Sequence, residues 1–306
     1  MDVNIKRKKI LPKIKKNAIA WAIMAPSLLL FAFFVWIPVY KIFKLSFYDS
    51  FSPMNFSYGS FVWFDNYKTI FSDAHFLQAL QNTFVYIIWS LVLGFFTPMI
   101  IGFLLSECFH ARGVFRVLIY VPCMISGIAV VFLFKNIYSD ADTGILNVII
   151  KAFGGTPRRF ASDTSIVIPL IVLAMTWKGA GATSLIYLSN FSQIDGNLYE
   201  AARIDGASPF RRFLHIVLPE MRNTILTLLV LQIISVFQVF YEPMVIGGTD
   251  NYSSMSLMLL AYKYSFMDLQ YSQGAAISVI LTMIILVFTI IYFVTTKLLN
   301  KKERNI

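Results

Sequence analysis

An all-α, polytopic membrane protein is the fold class this sequence predicts, and three observations predict it. The 306-residue chain is 58% hydrophobic and only 14% charged, where a soluble domain carries about 25% charged residues. The charge is missing from six windows, each about as long as the ~20 residues a helix needs to cross a bilayer. None of these windows shows the short alternating runs of a barrel strand, and helix is the assignment that lets a lipid-embedded backbone satisfy itself.

Along the chain the windows are 18–40, 79–106, 113–134, 166–188, 223–247 and 274–296. The first follows a basic leader with Lys6, Arg7, Lys8, Lys9, Lys13, Lys15 and Lys16. Its apolar run is longer than the roughly 7–15 residues of a signal-peptide core. The bulky Val39-Tyr40-Lys41 after it offers no small-residue cleavage pattern, so the segment reads as a retained helix. The expected organisation is therefore a basic cytoplasmic leader (1–17), a first transmembrane helix with its outer loop (18–75), a five-helix transmembrane domain (76–296) and a cytoplasmic tail (297–306). Outer loops at 41–78, 135–165 and 248–273 are rich in aromatics, Asn, Ser and Gly. Cys108 and Cys123 offer no disulfide framework and read as small apolar residues.

Charge sets the expected orientation. With the N-terminus in the cytoplasm, six crossings return the C-terminus there. The leader, the 106–116 turn, the 189–222 loop and the tail then hold 17 Lys and Arg against seven acids, and the remainder holds nine of each. The whole formal charge of +10 falls on one side. A basic chain can also signal nucleic-acid binding, but that needs a folded basic face; here the basic residues flank apolar spans, so membrane lipid is the expected neighbour and nucleic acid is not.

A polar island, Glu200 to Pro219 (EAARIDGASPFRRFLHIVLP), separates the fourth and fifth windows. Asn197 and Glu200 have capping-box spacing, which predicts a helix from Leu198. Leu198, Ala201, Ala202 and Asp205 share one face of it, made largely of small residues. Gly206 can take a positive φ at the helix end. Ser208-Pro209 reads as an N-cap followed by proline at the first helical position, and Phe210, Phe213, Leu214 and Val217 continue at helical spacing. Arg203, Arg211 and Arg212 suit lipid phosphates as well as a protein partner.

The spacing of this island, EAA, three residues, Gly206, nine residues, Ile216, one residue, Leu218-Pro219, resembles the EAA motif of permease subunits in binding-protein-dependent ABC importers. Asn66-Tyr67, Phe240-Tyr241-Glu242 with Gly247-Gly248-Thr249, and the stretch from Ala261-Tyr262 to Ser278 resemble the carbohydrate branch, akin to maltose and multiple-sugar permeases. Two positions depart from that pattern: Glu242 stands for aspartate and Thr249 for proline. The resemblance implies the type I importer transmembrane fold, N-in and C-in, in the cytoplasmic membrane, with the EAA loop at 195–219. It implies that Glu200, Ala201, Ala202, Asp205 and Gly206 couple to separate ABC ATPase subunits. It also implies a second permease subunit and an extracytoplasmic solute-binding protein as partners, and a sugar or oligosaccharide as cargo. A non-sugar solute such as glycerol phosphate, an amino acid or a polyamine is the alternative within the same class.

Polar residues inside a bilayer are costly and often functional. Gln232, Ser235, Val239 and Glu242 lie three, four and three apart in the fifth window, with Gln238 beside them, and Val230 falls on the opposite face. Tyr86 and Trp89 follow Asn82 at the same spacing in the second window, and Trp177 and Lys178 lie within the fourth. These residues are candidates for the substrate path; hydrogen bonding between helices is the competing role. At about 1.5 Å per residue, Lys178 lies roughly 18 Å from its outer end and Glu242 roughly 7.5 Å from its own. A water-filled cavity around Lys178 and an ion pair with Glu242 both remain open.

The chain has no G-x-x-x-x-G-K-[ST] phosphate loop, so ATP hydrolysis is expected in the partner ATPase and neither catalytic activity nor a cofactor in this chain. His75, His110 and His215 lie outside the windows and far apart, which gives no metal or catalytic cluster. A secondary transporter would show repeat halves with broken helices, and no such repeat is seen.

Overall fold

The computed structural model describes residues 18–108 and 111–303; the expected leader and the last three residues of the tail lie outside them. The chain begins with α1 (Ala18–Leu45), a small antiparallel hairpin of β1 (Phe51–Ser52) and β2 (Ser57–Tyr58), and α2 (Asp65–Phe71). Then follow α3 (Ala74–Glu107), α4 (Arg112–Met124), α5 (Gly127–Ile137), α6 (Ile145–Ala152) and α7 (Val167–Phe191). The second half holds α8 (Gly196–Ile204), α9 (Pro209–Glu220), α10 (Arg222–Phe237), α11 (Leu257–Tyr262) and α12 (Tyr271–Glu303). Four of these, α1, α3, α7 and α12, are long and apolar enough to cross a membrane, and two bent pairs raise the number to six.

The bends fall where the sequence withholds a backbone donor. Wide helical turns at Ala32–Trp36, Ser90–Phe95 and Phe213–Val217 sit just ahead of Pro38, Pro98 and Pro219. A proline cannot bond the carbonyl four residues back and its ring would clash there, so the preceding turn widens. In the third window, expected as one helix over 113–134, Pro122 has the stronger effect. α4 ends at Met124, Ile125 and Ser126 are extended, and α5 leaves at 89°.

The fifth window, expected as one helix over 223–247, is also broken. α10 stops at Phe237 and the chain resumes in a wide turn, Pro243–Gly247. Pro243 cannot bond the carbonyl of Val239; that carbonyl instead accepts the Ser256 hydroxyl at 2.6 Å. At its other end α10 meets α9 at 80°.

The main core gathers Ile87, Val131, Ile171, Phe237, Leu260 and Ile277 from α3, α5, α7, α10, α11 and α12. A second cluster, with Met99, Phe103, Tyr187, Phe191, Val217 and Met221, lies under the α8–α9 loop. By contrast, the apolar stretch of α1 is wholly unburied, with Phe33, Phe34 and Trp36 outward. Such a surface is stable against hydrocarbon, not water.

The outer loops are pinned to helix ends. Asn66 donates to the carbonyls of Ser46 and Tyr48 at 2.9 and 2.8 Å, tying α2 to the end of α1. The Tyr264 hydroxyl donates to Asp73, whose other carboxylate oxygen caps α3 by accepting from His75 N–H. Burial, followed by the Asp73 contact, raises the Tyr264 pKa.

Candidate functional site

Two places hold the residues that the sequence singled out. The first is the α8–α9 loop. Asp195 caps α8, its carboxylate accepting from Asn197 N–H at 3.0 Å, so the helix begins at Gly196 and not at Leu198. Asn197 is thus inside the first turn, and the expected capping box does not form. The Glu200 side chain is left exposed and carries no side-chain hydrogen bond or ion pair among the described residues.

α8 ends as the glycine predicted. Gly206 has φ +73°, Ala207 N–H bonds the Ala202 carbonyl at 2.8 Å, and Gly206 N–H bonds Arg203 at 3.1 Å. This pair of bonds closes the last carbonyls of the helix. Ser208 then caps α9, its hydroxyl accepting from Arg211 N–H at 3.3 Å. The two short helices therefore form a fixed corner. Ala201 and Asp205 are exposed and Ala202 is half-buried, while Ile204 and Phe210 stand out at 86% and 70% exposure. Beneath them Tyr199 and Phe213 pack onto the second core cluster.

Arg212, one of the three arginines of open role, turns inward. It is only 6% exposed and grips Glu107, at the end of α3, through two bonds of 2.9 and 3.3 Å. No sequence signal links residues so far apart. Burial first, and the Glu107 charge second, raise the pKa of the neighbouring Tyr199 hydroxyl.

The second place is a cavity of about 250 Å³ between α3, α7 and α10. Gln232 and Ser235 line it together with Ser90, Gly94, Thr176 and Thr183. Gln232 donates to the Ser90 hydroxyl at 2.6 Å. Gly94 makes that reach possible, because a Cβ there would lie 2.8 Å from the Gln232 amide. Sequence reasoning missed Ser90, Gly94, Thr176 and Thr183, although Ser90/Gly94 and Thr176/Thr183 recur at helical spacing.

The remaining candidates are placed elsewhere. Trp177 packs against Phe134 and opens onto a more apolar cavity of about 360 Å³ with Leu93, Leu118 and Pro122. The Lys178 amine lies against Gly127, the first residue of α5, and no ion pair joins it to Glu242 among the described residues. Glu242 and Gln238 lie past the end of α10, and Val239 is buried, so the stripe expected on one helical face is cut after Ser235. Val230, its expected opposite face, is buried and lines a groove with Phe288 and Tyr292. Trp89 is exposed on α3.

Tyr86 is fully buried and donates to the Ser254 carbonyl at 2.8 Å. Asn82 donates to Tyr252 and Met255 at 2.6 and 3.0 Å. That face of α3 clamps the outer loop.

This arrangement, a six-segment apolar bundle carrying a rigid polar corner on one end, has clear relatives. Residues 109–305 match the family described as binding-protein-dependent transport system inner membrane component. The chain belongs to that family. It is a multi-pass protein of the cytoplasmic membrane and a permease component of binding-protein-dependent transport. It is 31% identical to the arabinooligosaccharides transport system permease protein AraP of Bacillus subtilis, over 90% of this chain and 88% of that protein. It is 28% identical to the trehalose/maltose transport system permease protein MalF of Thermococcus litoralis, over 95% and 97% of the two chains. A bacterial ABC transporter that imports the acidic polysaccharide alginate contains a chain of the same fold, with a TM-score of 0.83 and 23% identity over 94% of this permease and 98% of that chain.

Proposed function

We propose that this permease forms one half of the transmembrane core of an ABC importer that carries a sugar or oligosaccharide inward. The observation that carries the reading is likeness over nine-tenths of the chain to permeases named for oligosaccharide transport. The cavity supports it. Hydroxyl and amide groups of Ser90, Thr176, Thr183, Gln232 and Ser235 meet there, and a polyhydroxylated solute needs several directed hydrogen bonds.

In this reading a second permease completes the core, and a binding protein delivers solute at the outer face. Two ATPase subunits bind below and hydrolyse ATP, which this chain does not do. α8 seats in the ATPase: its exposed Glu200 meets basic groups, and Ile204 and Phe210 supply apolar anchors. Closure of the ATPases moves the α8–α9 corner and alternates access to the cavity. The test is purification of the complex from its host, followed by uptake of labelled oligosaccharides, amino acids, polyamines and glycerol phosphate into proteoliposomes with ATP. Sugar uptake with an ATPase in the complex is the expected result. Uptake of only a non-sugar solute overturns the cargo, and absence of an ATPase overturns the coupling.

A further inference from the structure

α3 is continuous from Ala74 to Glu107, and side-chain bonds hold it at three heights. At its outer end Asn82 and Tyr86 donate to carbonyls of the loop at 252–255, and Thr83 accepts Leu257 N–H at 2.9 Å. Midway, Ser90 accepts Gln232 in the polar cavity. At its inner end Glu107 is held by Arg212 of the α8–α9 corner. Tyr86 and Glu107 are roughly 30 Å apart at about 1.5 Å of helix rise per residue.

We propose that α3 is the connecting rod between the ATPase-facing corner and the outer loop, and that the Glu107–Arg212 ion pair is its grip. The proposal rests on the reading that α8 docks on an ATPase. Three features favour a grip over a chance contact. The guanidinium is 6% exposed and engages both carboxylate oxygens, a planar fork geometry that resists sliding. The pair does not act alone: Phe213 of the corner packs in a tilted contact against Phe103 of α3, with ring centroids 4.8 Å apart. α3 is also seated against a neighbour, since a Cβ at Gly102 would come within 2.8 Å of the Ser184 carbonyl of α7. A push on the corner is therefore delivered to α3 at one end, and at its other end Asn82, Thr83 and Tyr86 bond the outer loop and the first residue of α11. Glu107 and Arg212 are positioning residues in this scheme: they touch no solute.

The experiment uses the permease purified with its ATPase in lipid nanodiscs. Cys108 and Cys123 are replaced by alanine, and Ser253→Cys, on the outer loop, is the single thiol. Its rate of reaction with a water-soluble maleimide is read with and without a non-hydrolysable ATP analogue and Mg²⁺. With the ion pair intact, nucleotide should change the rate several-fold. Glu107→Gln and Arg212→Gln should each bring the ratio close to one while the ATPase still co-purifies. The swap of Glu107→Arg with Arg212→Glu should restore the response, which a purely structural loss would not do.

A full response in both single variants overturns the rod, as does the absence of any response in the unsubstituted pair. Loss of the ATPase together with the response makes the pair an assembly contact and also overturns it. Absence of the ATPase from the unsubstituted complex sinks the coupling reading itself, so the two failures are distinguishable.

Discussion

Gly206 and Gln232 each work through a single geometric requirement. Gly206 holds φ +73° with nothing near its missing Cβ, so the cost of a side chain there is conformational and not steric. Gly206→Ala should lower stability by about 1 kcal/mol and reduce ATPase co-purification, and Gly206→Asn, which tolerates a left-handed backbone, should recover most of both. Equal behaviour of the two variants in a pull-down would show that the turn's hand does not matter. Gln232 spans the cavity to Ser90, so Gln232→Leu should lower solute uptake while the complex still assembles. Leu231 is 55% exposed and faces away, which makes Leu231→Ala the proper control. Val230 is not one, because its buried side chain packs in the groove beside α12. Uptake that falls with Leu231→Ala but not with Gln232→Leu would place the path elsewhere.

The long helices of this protein are shaped by prolines whose missing donor bonds are met in different ways. Wide turns absorb Pro38, Pro98 and Pro219 inside continuing helices, whereas α10 ends outright ahead of Pro243. There the orphan carbonyl of Val239 is recovered by Ser256, a residue also serving as the N-cap of α11 through Leu259 N–H at 3.1 Å. Ser256→Ala removes both bonds at a fully buried site. It should cost about 1–3 kcal/mol, seen as a lower midpoint of thermal unfolding in detergent, and Ser256→Thr should lose less. An unchanged midpoint for Ser256→Ala would mean that another donor replaces the hydroxyl. The broken elements were only half legible in the sequence. Pro122 and Pro243 are visible there, but hydropathy continues across both, and only the packing around them decides whether a helix bends, widens or stops.

Across the whole molecule, the charge asymmetry makes a prediction about sidedness. The α8–α9 corner should face the cytoplasm and the loop before α11 the outside. Asp250, whose side chain is 90% exposed, is the reporter for the outer loop, since Ser254 is fully buried and would not react for steric reasons. Asp250→Cys should label with an impermeant reagent on whole cells and Ser208→Cys should not; the reverse pattern would invert the topology. The sequence by itself determined the membrane class, the six apolar windows, the family and the corner at Gly206, because each depends on local composition or on spacing along one stretch of chain. It could not determine that Gln232 meets Ser90, that Tyr86 bonds the Ser254 carbonyl of the outer loop, or that Arg212 reaches Glu107. Those pairings join residues 142, 168 and 105 positions apart. In hydrocarbon every apolar face is equally content with lipid, so periodicity marks a span without saying which neighbour it meets. That choice belongs to the close packing of helices and to the few polar groups that must find one another.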